Sequence, residues 1–185
     1  MRAVMAGAPV GDDQFGEDPS INELQSRIAA LLGKPAALWL PTGTMANQVA
    51  LRVLTRPGDD VIVCRESHAV WHETGAGSAN AGVQFTEIGA RGVFTAEEFL
   101  AARKPRGHLL YPPTTLLEIE NTHNRAGGVI FPQGEVERLC DAARAHDPGR
   151  DASRRVTSTL RACGGNSRGD CRELGDLRHA ECCRE

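Results

Sequence analysis

Apolar residues fall in short runs and one-sided stripes as far as about His146, and neither pattern continues beyond it. Ile21, Leu24, Ile28 and Leu31 recur at intervals of three and four, which predicts a helix with one apolar face. Ser20 with Glu23 reads as a capping box opening that helix, and Gly33 with Pro35 closes it. The apolar run AALWL, residues 36–40, has the length of a strand, and PTGTMANQVALRVLT then enters a second helix that stops at the turn Pro57-Gly58. Residues 60–64, 83–88 and 116–119 predict further strands, and residues 96–103 and 134–146 two more helices. Strands separated by helices favour a mostly parallel sheet with right-handed crossovers, so the expected class is α/β.

Composition sharpens the boundary at His146. Every Phe, Trp and Tyr lies at or before Phe131, whereas residues 147–185 hold eight Arg, four Cys and no aromatic residue. Such a segment has little apolar surface to offset the entropy of ordering, so it is expected to stand apart from the domain before it. The formal net charge is -3 with both signs interleaved, which argues against nucleic acid or an anionic membrane as partner and for a small neutral or zwitterionic substrate. No apolar run reaches the roughly 18 to 20 residues that span a bilayer, and the start lacks an apolar segment of signal-peptide length; a cytoplasmic location is the expectation. Cys163, Cys171, Cys182 and Cys183 lack a paired C-x-x-C spacing, so no metal site is expected.

Three stretches carry side chains suited to chemistry. Pro41-Thr42-Gly43-Thr44-Met45-Ala46-Asn47 joins a predicted strand to a predicted helix, where free backbone N–H groups and the helix dipole attract phosphate; simple capping is the bland alternative. His68 follows the strand at 60–64 and so projects where open α/β sheets place ligands, with His72 and Glu73 one turn on; a surface histidine is the alternative. His123 ends a strand ahead of the Gly-rich Ala126-Gly127-Gly128, and a strand-end imidazole suits general acid/base work near neutral pH. Turn chemistry is the competing account, since Asn, Thr and Gly all favour turns.

Together these segments resemble the threonine aldolase family of pyridoxal-phosphate enzymes. GDDQFGEDPSINELQ is similar to the family's opening, PTGTMANQVAL to its phosphate-binding turn, SHAVWHETGA to its histidine-bearing strand end, and ENTHNRAGG to its substrate-side loop. The resemblance covers residues 1–146 and implies a partial three-layer α/β/α large domain of the aspartate-aminotransferase-like fold type I, binding pyridoxal 5'-phosphate. It assigns Gly43 and Thr44 to the cofactor phosphate, His68 to stacking on the pyridine ring, and His123 to the substrate's β-hydroxyl. Glu73 matches a carboxylate near the active site, so His123, His68 and Glu73 form the expected catalytic set. The implied reaction cleaves L-threonine or L-allo-threonine to glycine and acetaldehyde in a homo-oligomer, dimeric or tetrameric.

Three elements of that family have no counterpart here. An Arg-Ser-Asp-Thr segment would precede the first helix, and a His-x-Asp-Gly-Ala-Arg strand would follow His146. The cofactor-bearing lysine is the third: Lys34 in Gly-Lys-Pro and Lys104 in Arg-Lys-Pro-Arg both read as solvated surface positions. Codons for the residues just after His146 can be chosen so that reading one nucleotide later spells Ile-Pro-Val-Val-Thr-His-Leu-Asp-Gly, close to the absent strand. Residues 147–185 are therefore expected to be disordered or out of frame, and the chain inactive by itself. The competing expectations are a non-catalytic pseudogene fragment or another fold-type I enzyme such as a β-eliminating lyase.

Overall fold

The computed structural model describes residues 1–146 and the backbone of Val156–Leu160. The described residues divide into two compact units, residues 1–41 and those from 42 onward. Apart from Val156–Leu160, the expectation placed on residues 147–185 falls outside the described residues.

In the first unit a short helix α1 (Arg2–Ala6) precedes a single 3₁₀ turn at Asp13–Phe15 and the helix α2 (Pro19–Leu31). The predicted capping box is not formed. Asp18 is the N-cap, its carboxylate accepting from the amides of Ile21 (2.9 Å) and Gly11 (3.1 Å), while the Ser20 hydroxyl donates to the Pro9 carbonyl. Those two amides hold the Asp18 carboxyl below its ordinary range. Proline at the first helical position explains the shift of the cap from Ser20 to Asp18, because Pro19 has no N–H to satisfy and a φ already helical. Residues 36–40 form no strand; the Trp39 amide instead donates to the Gln25 side chain on α2 (2.9 Å). Leu24, Ile28 and Leu31 remain exposed, as expected of a unit too short to enclose a core of its own.

The second unit is built on four parallel strands in the order β2-β1-β3-β4, with β1 at Asp60–Cys64, β2 at Gln84–Ile88, β3 at Thr114–Asn121 and β4 at Val156–Leu160. Asp60 aligns with Gln84 of β2 and with Thr114 of β3, and Asn121 aligns with Leu160 of β4. Helix α3 (Gly43–Leu54) and the single turn α4 (His68–Trp71) precede β2, α5 (Ala96–Ala102) lies between β2 and β3, and α6 (Gln133–Ala145) follows β3. The predicted strands at 60–64, 83–88 and 116–119 and helices at 96–103 and 134–146 correspond to β1, β2, β3, α5 and α6 within two residues at each end.

Strand alternation sorts the core into two faces. Val61, Val63 and Leu116 pack with Leu51 of α3 and with Ala81 and Val83. Ile62, Cys64, Leu117 and Ile119 pack on the other side with Phe99 of α5, Phe94, Phe131 and Leu139 of α6. A sheet covered on both faces explains why β1 is buried at all five positions and β3 from Thr114 to Glu120.

The amino ends of the strands are joined by polar contacts. Asp60 accepts from Lys104 Nζ (2.6 Å) and the Thr114 hydroxyl (2.7 Å), and Lys104 also reaches the Thr86 hydroxyl (2.7 Å). This corrects the reading of Lys104 as a solvated surface residue. Its partner Asp60 is fully buried, and an unpaired charge there would be costly. Lys34 is half-buried rather than exposed.

Candidate active site at the carboxyl ends of the strands

Helix α3 begins where phosphate binding was expected. Thr42 is its N-cap, with extended backbone and a hydroxyl accepting from the Met45 amide (3.0 Å). The amides of Gly43 and Thr44 that follow lie in the first turn, where no intrahelical acceptor exists, at the positive end of the helix dipole. A Cβ added at Gly43 would meet nothing within 4 Å, so glycine leaves open space at that terminus that packing within the chain does not require.

One turn further along α3, Asn47 Nδ2 and Gln48 Nε2 donate to the two oxygens of Glu73 (2.7 and 2.6 Å). Glu73 is buried, and its Oε1 lies 3.7 Å from His68 Nε2. His68 opens α4 just beyond the carboxyl end of β1, with its side chain 15% exposed and the ring of His72 tilted at 5.3 Å. The turn that delivers it passes through Glu66 at φ 61, whose amide donates to Glu87 Oε2 (2.6 Å).

His123 lies just beyond β3. Its amide donates to the Val129 carbonyl (2.9 Å) and its carbonyl accepts from the Gly128 amide (2.9 Å), which folds the Gly-rich loop back on the strand end. The ring is 1% exposed, and Nδ1 accepts from the Ala126 amide (3.2 Å). An Nδ1 that accepts carries no proton, so the neutral ring holds its proton on Nε2, 3.7 Å from Glu120 Oε2. Gly92, at φ +85, backs this loop: a Cβ there would come within 2.9 Å of the Cβ atoms of both His123 and Ala126.

Of the residues singled out from sequence, the structure links Glu73, His68 and His123 by contacts, with α3 joined to them through Asn47 and Gln48 beside Gly43 and Thr44. Glu120 lay in the stretch singled out from sequence without a role of its own, and Glu118 was not singled out. Glu120 Oε2 accepts from the His68 amide (2.7 Å) and Oε1 from the Asn124 amide (2.9 Å). Glu118, two residues earlier on the same face of β3, is buried, and its Oε2 has no hydrogen-bond partner among the described residues. Burial first, and then the negative charges of Glu73 and Glu120, push the Glu118 carboxyl up to about 7. The available signal was two acids inside Leu116-Leu117-Glu118-Ile119-Glu120, a run otherwise apolar enough to be buried on both faces.

A parallel sheet covered by helices, with polar side chains gathered beyond the strand ends, defines an α/β domain of the kind that places ligands at that edge. The sequence model for Beta-eliminating lyase matches residues 1–151, and the chain belongs to that family. It is 38% identical over 146 residues to the low specificity L-threonine aldolase of Escherichia coli K12, covering 78% of this chain and 43% of that one. It is 35% identical over 150 residues to low-specificity L-threonine aldolase 1 of Arabidopsis thaliana, covering 79% and 42%. The threonine aldolase structure from Leishmania major superposes with a TM-score of 0.62 at 25% identity, over 71% of this chain and 39% of that chain. The chain therefore spans about two-fifths of the length of the relatives it matches, and its fold is part of their α/β large domain.

Proposed function

We propose that this chain carries the cofactor seat of a pyridoxal-phosphate-dependent threonine aldolase, whose reaction cleaves L-threonine or L-allo-threonine to glycine and acetaldehyde. The observation that supports it most is the continuous run of contacts from the first turns of α3 through Glu73, His68 and Glu120 to His123. Pyridoxal phosphate, when bound, supplies an electron sink that lets a bond to Cα of an amino acid break.

The residues present fit that group in part. The Gly43 and Thr44 amides would hold the phosphate and the partly exposed ring of His68 the pyridine ring, while Glu73, fixed by Asn47 and Gln48, lies beside the His68 ring. His123 stores a proton at Nε2. It can accept another from a substrate hydroxyl only by giving up the Ala126 bond or by passing the Nε2 proton on, and Glu120 Oε2 is the nearby acceptor for the latter.

The covalent attachment point does not fit. Lys104 is paired with Asp60 at the amino ends of the strands, and β1 separates it from the site by about 13 Å of extended chain. Lys34, the other lysine, belongs to the first unit. The 185-residue chain by itself is thus expected to bind pyridoxal phosphate reversibly and not to turn over threonine.

Titration of the chain with pyridoxal phosphate, followed by borohydride and peptide mass mapping, tests this. The expected result is saturable binding that excess inorganic phosphate displaces, no lysine carrying the reduced cofactor, and no acetaldehyde from threonine. Stoichiometric labelling of one lysine would refute the inactive reading, and failure to bind at all would refute the cofactor seat.

A further inference from the structure

Glu120 stands at the last buried position of β3, and its two carboxylate oxygens serve the two histidine-bearing segments. Oε2 accepts from the amide of His68 itself, at 2.7 Å, across 52 residues of sequence. Oε1 accepts from the amide of Asn124, next to His123, at 2.9 Å. The His123 Nε2 that carries the ring proton is 3.7 Å from Oε2. Besides His123 from the loop, Glu118 on the same face of β3 lies within the electrostatic reach of this carboxylate, as does Cys64 of β1 on the opposite face.

We propose that Glu120 is the positioning residue of the site, setting the spacing between His68 and His123 by holding one backbone amide beside each of them. A carboxylate is suited to this because both of its oxygens are acceptors and it has no donor. Glutamine at the same place has one acceptor and one donor, so it can satisfy one amide while opposing the other. Aspartate keeps both acceptors but is a methylene shorter, so it draws its carboxylate back from the two amides. Hydrogen bonds to a charged acceptor are also the stronger kind, so one buried carboxylate can hold two loop segments that no strand pairing joins. The role rests on the proposed cofactor seat only for its effect on pyridoxal phosphate; the bridge itself belongs to the apo chain.

Nuclear magnetic resonance of the full 185-residue chain tests the bridge without any variant. A pH titration following the Glu120 carboxyl carbon should move the His68 and Asn124 amide protons together, both in step with that one carbon. If the two amides respond to different carboxyl groups, or neither follows Glu120, the proposal is overturned. Glu120→Gln should then displace one of the two amide resonances and Glu120→Ala both, while far-ultraviolet circular dichroism stays that of the parent. In Glu120→Gln the dissociation constant for pyridoxal phosphate should rise by about tenfold, the scale of loss from misplacing binding groups by a fraction of an ångström. An unchanged constant in a folded Glu120→Gln chain would show that the bridge does not position the site. A parent chain that binds no pyridoxal phosphate would refute the cofactor seat alone, and the coupled amide titration would still decide the role of Glu120.

Discussion

Glu118 lies 4% exposed between the negative charges of Glu73 and Glu120, with a carboxyl oxygen that meets no donor among the described residues. Its ordinary value of 4.5 becomes about 7 in the folded chain, so the folded state holds the proton more tightly than the unfolded one. Stability from that difference is fully present below about pH 4.5 and is lost as pH rises towards 7. Glu118→Gln should therefore unfold at higher urea than the parent at pH 8, by on the order of 3 kcal/mol, and the gap should narrow towards pH 5. Urea midpoints at the two pH values check this; an advantage of equal size at both would show that ionisation is not its source. His68, Glu73 and His123 were legible in sequence because a histidine or an acid after a strand stands out. Glu118 and Glu120 were not, because two acids within an apolar strand register first as interruptions of its pattern. Their meaning depends on partners such as His68, which a linear reading cannot bring alongside.

Among the elements, α3 matters most to the site, since it presents the Gly43 and Thr44 amides and aims Asn47 and Gln48 at Glu73. Thr42→Ala removes the hydroxyl that caps it and should cost about 1 kcal/mol. A thermal melt should record this as a fall of roughly 2–4 °C, the usual conversion for a chain of this size. No fall would mean that water replaces the cap without loss. Glycine and threonine between an apolar run and an amphipathic stretch made this helix start readable. The same logic failed at α2, where proline moved the cap from Ser20 to Asp18. It failed also at residues 36–40, whose apolar run has the composition of a strand but no ladder partner among the described residues. The Arg125 guanidinium lies 4.6 Å from the centre of the Trp71 ring and pairs with Glu66 (3.0 Å), a second and more exposed link between the two loops. Such exposed pairs contribute little, about 0 to 1 kcal/mol, which is why the buried Glu120 bridge is the one given the positioning role.

At the scale of the molecule, the two-sided core makes the sheet the common support of both helical layers. Leu139→Ala opens a void on the α5–α6 side, where that side chain is fully buried, and should lower the unfolding free energy by about 2–5 kcal/mol. Loss of the near-ultraviolet signal and of the far-ultraviolet signal at one denaturant concentration would show that both layers unfold together; separate transitions would show that they do not. The alternation of strand and helix made the α/β class readable, whereas the contact between Lys104 and Asp60 joins residues 44 apart in a way that no local pattern encodes. That contact also has a chemical consequence. Acylating reagents need the amine's lone pair free and within reach, and Lys104 does not present it while its Nζ is clamped between a carboxylate and a hydroxyl. The exposed α-amino group at Met1 should take up an N-hydroxysuccinimide ester well before Lys104 does. The delay at Lys104 would serve as a clock for how often the rear of the sheet comes undone.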